Sequence, residues 1–150
     1  MKLTDAQIGQ AGVLLVQHKL LLYGIESAPL TTDAGIDLVA YSPHSTRALT
    51  IQVKANLKAK PSGGKGKPHL DWWTPDNSPA ELFAFVDLET SRVWLVGKKE
   101  LPTLAQQHPS NRYHFFMSVD PSTKNRRDGK AVHDHEFQEF LLENRVNRVI

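Results

Sequence analysis

Three polar side chains on neighbouring predicted strands have the types needed to hydrolyse a phosphodiester. Asp37 lies in one apolar segment, and Gln52 and Lys54 lie in the next. Because side chains alternate between the two faces of a strand, Gln52 and Lys54 point away from the face that Ile51 and Val53 share. Together, a carboxylate, an amide oxygen and a lysine can bind a hard cation, activate water and neutralise developing negative charge.

Strand pairing would complete this group. The predicted strands cover residues 36–41 and 48–55, with a turn over 42–47. If they pair through that turn, Asp37 joins the two polar side chains of the second strand on an open face. The apolar side chains of the opposite face would then pack against the first helix. The backbone carbonyl of Val53 can point at the same metal ion.

The segments Gly35–Asp37 and Gln52–Lys54, separated by a hairpin, resemble the PD-(D/E)xK nuclease superfamily in its QxK variant. This superfamily includes restriction endonucleases, archaeal Holliday-junction resolvases and one class of homing endonucleases. The resemblance covers roughly residues 4–101. It implies an α+β (α/β) fold with a restriction-endonuclease-like core of helix, three-strand meander, helix and strand, in which helices flank a central mixed sheet.

The resemblance also implies roles for single residues. Asp37 would be the metal-binding acid, Gln52 would occupy the middle (D/E) position, and Lys54 would be the catalytic lysine. The expected cofactor is Mg²⁺, with Mn²⁺ as the alternative ion, and the expected substrate is DNA.

Two positions depart from the family pattern because they are neutral. One is Gln52, and the other is Gln10, which stands where many relatives carry a glutamate on the first helix. Asp37 would then be the one strong carboxylate, with Asp33 and Glu26 as candidate replacements for the missing acids.

Local basic clusters favour a nucleic-acid partner although the net charge is only +2. A loop over 60–68 is rich in glycine and proline, which predicts no regular element there. In and beside it lie the lysines expected to contact phosphates, namely Lys58, Lys60, Lys65 and Lys67. A second cluster consists of Lys124, Arg126, Arg127 and Lys130. Solvation of the loop is the alternative interpretation.

The other elements follow from capping signals and periodicity. Thr4 and Gln7 have capping-box spacing, and the helix that follows is apolar over most of its surface, which predicts that it is buried and ends at Gly24. Strands are expected at 24–30, 81–88, 92–98 and 113–119, a short helix at 101–107, an irregular segment at 69–79, and a last helix that carries Phe137, Phe140 and Leu141 on one face.

Two further groups have competing interpretations. His133–Glu136 contains metal-ligand residue types, but adjacent side chains diverge, so Asp134 is better explained as a helix N-cap and Glu136 by the helix dipole. Of Trp72 and Trp73, one can stack on a base. The favoured interpretation places one in the core and leaves the other half-buried.

Composition limits the remaining classes. The 150 residues, 40% hydrophobic and 23% charged, predict one domain over 1–150. Without cysteine there is no thiolate site, and neither a Walker A motif nor a G-x-S-x-G motif occurs. The longest apolar stretch, residues 13–23, is too polar to cross a bilayer, and the N-terminus does not resemble a signal peptide, so a cytoplasmic location is expected.

The first hypothesis is therefore a DNA endonuclease that works as a homodimer or homotetramer, because two strands must be cut. The alternative is a nuclease-fold module that binds nucleic acid with weakened or lost catalysis. A third is a protein-interaction domain without a nucleic-acid role.

Overall fold

Two β-sheets organise the fold, and the computed structural model describes residues 1–32 and 34–150 of it. In chain order the described elements are α1 (Asp5–Leu22), β1 (Glu26–Pro29), β2 (Leu38–Tyr41), β3 (Ala48–Asn56), β4 (Lys60–Pro61), a 3₁₀ turn (Ser62–Gly64), β5 (Pro68–Pro75), β6 (Leu82–Asp87), β7 (Arg92–Gly97), α2 (Leu101–Leu104), β8 (Arg112–Ser118), a 3₁₀ segment (Asp134–Phe140) and α3 (Leu142–Val149). The α+β class is confirmed.

The central sheet is mixed, as predicted, with strand order β1-β2-β3-β6-β7. Strands β1, β2 and β3 form the expected antiparallel meander. Strand β6 then runs parallel to β3, with Ala84 opposite Val53, and β7 returns antiparallel to β6. The open edge of β3 therefore lies on its β2 side, beyond the point where β2 ends.

The connection between β3 and β6 differs from the expected helix. It contains β4, the 3₁₀ turn and β5, which join β8 in a second sheet of order β4-β5-β8. The predictions of no regular element at 60–68 and of an irregular 69–79 were wrong. Leu70, Trp72 and Thr74 alternate inward along β5, and the two prolines of this strand stand at its ends, where they are tolerated.

Helix α1 begins at the predicted capping box. Thr4 Oγ1 accepts a hydrogen bond from the Gln7 N–H, and Gln7 Oε1 accepts one from the Thr4 N–H. Beyond the helix, Gly24 adopts a positive φ of 75°, which glycine allows without strain. Both predictions about the helix ends are confirmed.

The expectation that α1 is buried all round was wrong. One face, which includes Val16 and Leu20, is buried against the sheet. The opposite face leaves Leu14, Leu21 and Leu22 exposed by 56%, 57% and 71%. The sheet offers a helix only one surface to cover, so the other apolar stripe faces outward.

Two cores lie on the two sides of the central sheet. The first joins α1 and α3 to the sheet and includes Val16, Ile51 and Val146. The second fills the space between the two sheets and includes Trp72 and Phe115. Trp72 is 3% exposed while its neighbour Trp73 is half-buried, so the predicted division of the tryptophan pair is confirmed.

The C-terminal region corrects two details. The predicted helix around Phe137 and Phe140 is a 3₁₀ segment. Asp134 does not cap it, because its carboxylate lies 2.8 Å from an Arg92 nitrogen and forms an ion pair. His133 is the N-cap residue instead, and Glu136 accepts its backbone N–H. The predicted capping role of Asp134 was therefore wrong, although Asp134 and Glu136 both make structural contacts.

Candidate active site

A cleft of about 600 Å³ lies between the N-terminal half of α1 and the open end of β3. It brings together all five residues that the sequence proposes for chemistry, namely Gln10, Asp37, Gln52, Val53 and Lys54. They come from one helix, one loop and one strand, so only the folded chain assembles them.

Asp37 is held at the edge of β3 by backbone contacts. The ladder between β2 and β3 ends at the pair Leu38–Ile51, and the Asp37 N–H donates to Ile51 O at 2.8 Å. Two residues beyond Ile51 along β3, the Val53 N–H donates to Asp37 Oδ2 at 2.7 Å. The carboxylate thus takes the place of the next strand residue and is directed into the cleft by the register of the meander.

Gly12 sets how closely α1 approaches β3. A Cβ at Gly12 would lie 2.6 Å from the Ala55 Cβ, closer than packed carbons allow. The absence of a side chain lets the helix backbone rest on the strand. Gln10, two residues earlier, consequently faces the same cleft as Lys54.

Gln52 was expected on an open face of the sheet, but the structure covers it. It is 7% exposed, because the chain before β6 packs over it. Its Oε1 accepts a hydrogen bond from Ser78 Oγ at 2.9 Å. Asp37 and Lys54 are partly buried rather than fully open. The polar side chains therefore converge inside a recess at the sheet edge.

Of the two proposed replacement acids, Glu26 alone lies among the described residues. Glu26 is exposed on β1 opposite Tyr41 and lines a separate hollow, so it is not part of the cleft. Asp33 lies outside the described residues. An acid that the sequence analysis did not consider, Asp5, lines the cleft from the first turn of α1. The available signal was its place on the same helix as Gln10.

No protein-family model matches the sequence, and no curated protein shows significant similarity to it. Among solved structures, the chain is similar to a bacterial homing endonuclease, I-Ssp6803I, with a TM-score of 0.58 and 14% identity over 83% of each chain. At this identity the likeness establishes the fold. The chain shares its fold with this endonuclease. The candidate cleft is therefore built on an architecture that a known endonuclease shares.

The four lysines that were predicted to bind phosphate have different surroundings. Lys60 lines the cleft. Lys58 and Lys65 are exposed. Lys67 Nζ donates to the Ser122 carbonyl at 2.8 Å and so fastens the loop after β8.

The second basic cluster is partly neutralised within the protein. Arg126 forms an ion pair with Asp128 at 2.8 Å. Its hydrogen bond lowers the pKa of Asp128 from 3.8 to about 2, assisted by the backbone N–H of Lys130. Lys130 Nζ donates to the Ala105 carbonyl at 2.6 Å. Two of the four cations in this cluster thus have structural contacts.

The donor set of the cleft suits a hard divalent cation only in part. In the described part of the chain, no group of three or more histidine, aspartate or glutamate residues is placed to hold a metal ion. The cleft is lined by Asp5, Asp37 and Gln52, whose side chains all carry oxygen donors. Mg²⁺ commonly binds through one or two carboxylates and takes its remaining ligands from water and substrate phosphate. The residues therefore fit Mg²⁺ when a phosphodiester is present.

None of the described helices has the length and apolarity to cross a bilayer.

Proposed function

We propose that this protein is a divalent-metal-dependent endonuclease that hydrolyses DNA phosphodiester bonds. The observation that carries the proposal is the convergence of Asp37, Gln52 and Lys54 in one cleft at the open edge of β3. The fold shared with a homing endonuclease supports it. The order of acid, hairpin and QxK further supports a place in the PD-(D/E)xK superfamily.

Asp37 and Val53 would hold the metal ion. In an extended strand, the N–H and C=O of one residue point to the same edge. Since the Val53 N–H meets Asp37, its carbonyl points to that edge too. Mg²⁺ bound there supplies charge neutralisation at the phosphate and a lowered pKa for a coordinated water.

Lys54 acts on the charge that develops during hydrolysis. It lies two residues beyond Gln52 on the same strand face and lines the cleft together with Asp37. A fixed cation stabilises the negative charge of the transition state and orients the attacking water. Lys54 is thus the proposed catalytic cation.

Gln52 contributes an oxygen without charge. Ser78 donates to its Oε1 and thereby orients the amide. With neutral side chains at Gln52 and Gln10, the phosphate of bound DNA must supply the remaining anionic ligands. Metal binding and DNA binding are therefore coupled in this proposal.

In this proposal exposed lysines hold the DNA, and Lys60, which lines the cleft, contacts the backbone beside the scissile phosphate. Two strands must be cut and one chain has one candidate site, so a homodimer or homotetramer is the proposed working form. A twofold pair of sites matches the symmetry of the duplex.

A second candidate is a module with this fold that binds nucleic acid with weakened or lost catalysis. The observation that favours it is the scarcity of carboxylates in the cleft, where both Gln10 and Gln52 are neutral. The lysine contacts of such a module with DNA would not depend on carboxylates in the cleft.

Cleavage of supercoiled plasmid tests the proposal. The purified protein is incubated with plasmid and Mg²⁺ or Mn²⁺, with an EDTA sample as control, and nicked and linear forms are quantified. We expect metal-dependent conversion. DNA retention that weakens with salt but never leads to cleavage would favour the binding module. If the protein neither cleaves nor retains DNA, the result favours a protein-interaction domain.

A further inference from the structure

A second hollow, of about 410 Å³, adjoins the cleft on the outer face of the β4-β5-β8 sheet. The side chains that give it its chemistry are Lys60, His69, Asp71, Gln107, His114 and Phe116. None of these except Lys60 takes part in the proposed hydrolysis.

Planar rings form a row along this hollow. The ring centroid of Phe116 lies 5.1 Å from that of His114 and 5.9 Å from that of His69, with the rings tilted by 47° and 55°. His114 in turn stacks flat on Trp73, at 3.9 Å and 2°. Planar side chains in such a row are suited to contact the flat face of a nucleobase.

Asp71 gives the hollow a negative acceptor. Its Oδ2 lies 2.9 Å from His114 Nε2, and its side chain remains 47% exposed, so acceptor capacity is left for a ligand. The hydrogen bond with His114 lowers the pKa of Asp71 despite partial burial. A carboxylate repels phosphate but accepts hydrogen bonds from an exocyclic amino group, as acids do with cytosine N4. The hollow therefore suits a base better than a phosphate.

The hollow and the cleft share a lining residue. Lys60 lines both. Asn56, which also lines the cleft, donates through its Nδ2 to the backbone carbonyl of Asp71 at 2.7 Å. A DNA strand with a phosphate in the cleft can therefore place a neighbouring nucleotide in the hollow, with Lys60 between the two.

We propose that this hollow binds an unpaired nucleobase next to the phosphate in the cleft, and this inference rests on the proposed nuclease function. Bases inside a duplex are covered on both faces by stacking, so an unpaired base enters the hollow at a lower free-energy cost than a paired one. The preferred substrate is then DNA that carries an unpaired nucleotide, such as a single-nucleotide bulge. An amino-bearing base is preferred over thymine because of Asp71.

Fluorescence anisotropy in EDTA tests the inference without cleavage. The probes are three labelled duplexes of one sequence: fully paired, with one unpaired adenine, and with one unpaired thymine. The wild-type protein binds the adenine bulge at least about fivefold more tightly than the paired duplex, the scale of one base stack. It binds the thymine bulge less tightly than the adenine bulge.

Two variants assign the effect to the hollow. His69→Ala removes one ring and abolishes the preference for the adenine bulge. Asp71→Ala removes the acceptor and reduces the preference for the adenine bulge over the thymine bulge. Asp76 and His108 form a similar exposed pair, at 3.0 Å, that does not line the hollow. Asp76→Ala and His108→Ala therefore serve as matched controls and leave the wild-type preferences intact.

The outcomes separate the two levels of the proposal. If the wild-type protein binds paired and bulged duplexes equally, or if both hollow variants keep the preferences, the inference is overturned while the proposed function stands. If the protein binds none of the three duplexes in EDTA, the inference is overturned as well, and the metal-dependent plasmid assay decides the proposed function separately.

Discussion

The Asp37 carboxylate accepts the Val53 N–H at 2.7 Å, at the point where the β2–β3 ladder ends. A side chain thus replaces a strand residue, and the strand edge beyond it opens into the cleft. The same contact fixes where an acid stands relative to Gln52 and Lys54. The position of the Asp37 carboxylate in the cleft therefore depends on the register of β2 against β3 as well as on the residue type.

Asp37→Asn should lower DNA cleavage by at least about a hundredfold, the scale of losing a transition-state electrostatic partner. The asparagine Oδ1 can still accept the Val53 N–H, so the free energy of unfolding should change little. Lys54→Ala should lower cleavage by a similar factor. The rate of plasmid nicking and a thermal melt measure the two effects.

The control for Asp37→Asn is Asp134→Asn, which changes an acid that pairs with Arg92 outside the cleft. It should leave the nicking rate unchanged. Wild-type rates in Asp37→Asn would place the reaction elsewhere and remove the basis of the proposed function.

Gln52→Glu should tighten binding of Mn²⁺ or Mg²⁺ to the free protein, on the order of tenfold, since an added carboxylate raises the ligand charge. Ser78 can donate to the new carboxylate as it does to the amide. Calorimetric titration measures the affinity. Gln138→Glu adds the same charge on an exposed side chain away from the cleft and should have no effect. Equal affinities in all three proteins would count against Gln52 as a ligand.

Gly12→Ala should destabilise the protein by about 1–3 kcal/mol, the usual cost of overpacking. Its new methyl group would meet the Ala55 Cβ at 2.6 Å. Gly9→Ala, where a Cβ meets no atom within 4 Å, should instead stabilise the helix by about 0.5–1 kcal/mol. Chemical denaturation gives both free energies of unfolding.

A double-mutant cycle isolates the cause of the Gly12 effect. Ala55→Gly removes the atom that the new methyl group meets, so the double variant should be more stable than the two single changes together predict. Additive losses would show that the close approach of α1 to β3 is not what requires glycine.

Changing Lys58, Lys60 and Lys65 to alanine together should weaken DNA binding and reduce its log–log salt slope by up to about one unit per lost phosphate contact. Lys67→Ala should change the slope less, because its ammonium group already contacts the Ser122 carbonyl. Anisotropy at several salt concentrations measures the slopes. An unchanged slope in the triple variant would mean that this loop is merely solvated.

Acid titration of Asp128 should show a midpoint near its lowered pKa of about 2. A pKa below the ordinary 3.8 means that the contact with Arg126 stabilises the fold above about pH 4 and that this contribution is lost as the pH falls through 2. Carboxyl ¹³C NMR follows the midpoint. Arg126→Gln should return it towards 3.8, and a wild-type midpoint already at 3.8 would contradict the contact.

Local rules were sufficient wherever a feature depends on near neighbours in the chain. The capping box of Thr4 and Gln7 needs only spacing, and it formed as predicted. The alternation of strand side chains separated Gln52 and Lys54 from Ile51 and Val53, and these two apolar side chains lie in the α1-side core. Turn signals and apolar runs were enough to predict the three-strand meander.

Features that depend on distant contacts had to come from the tertiary structure. The residues of β5 look irregular until β8, some 40 positions later, supplies the pairing that their alternation requires. Burial of Gln52 follows from Ser78 packing over it, and the exposed stripe of α1 follows from a sheet that can cover only one side of a helix. The sequence by itself determined which residue types could do the chemistry. The tertiary structure decided which of them meet, because the long-range pairings set the distances between strands, loops and helix.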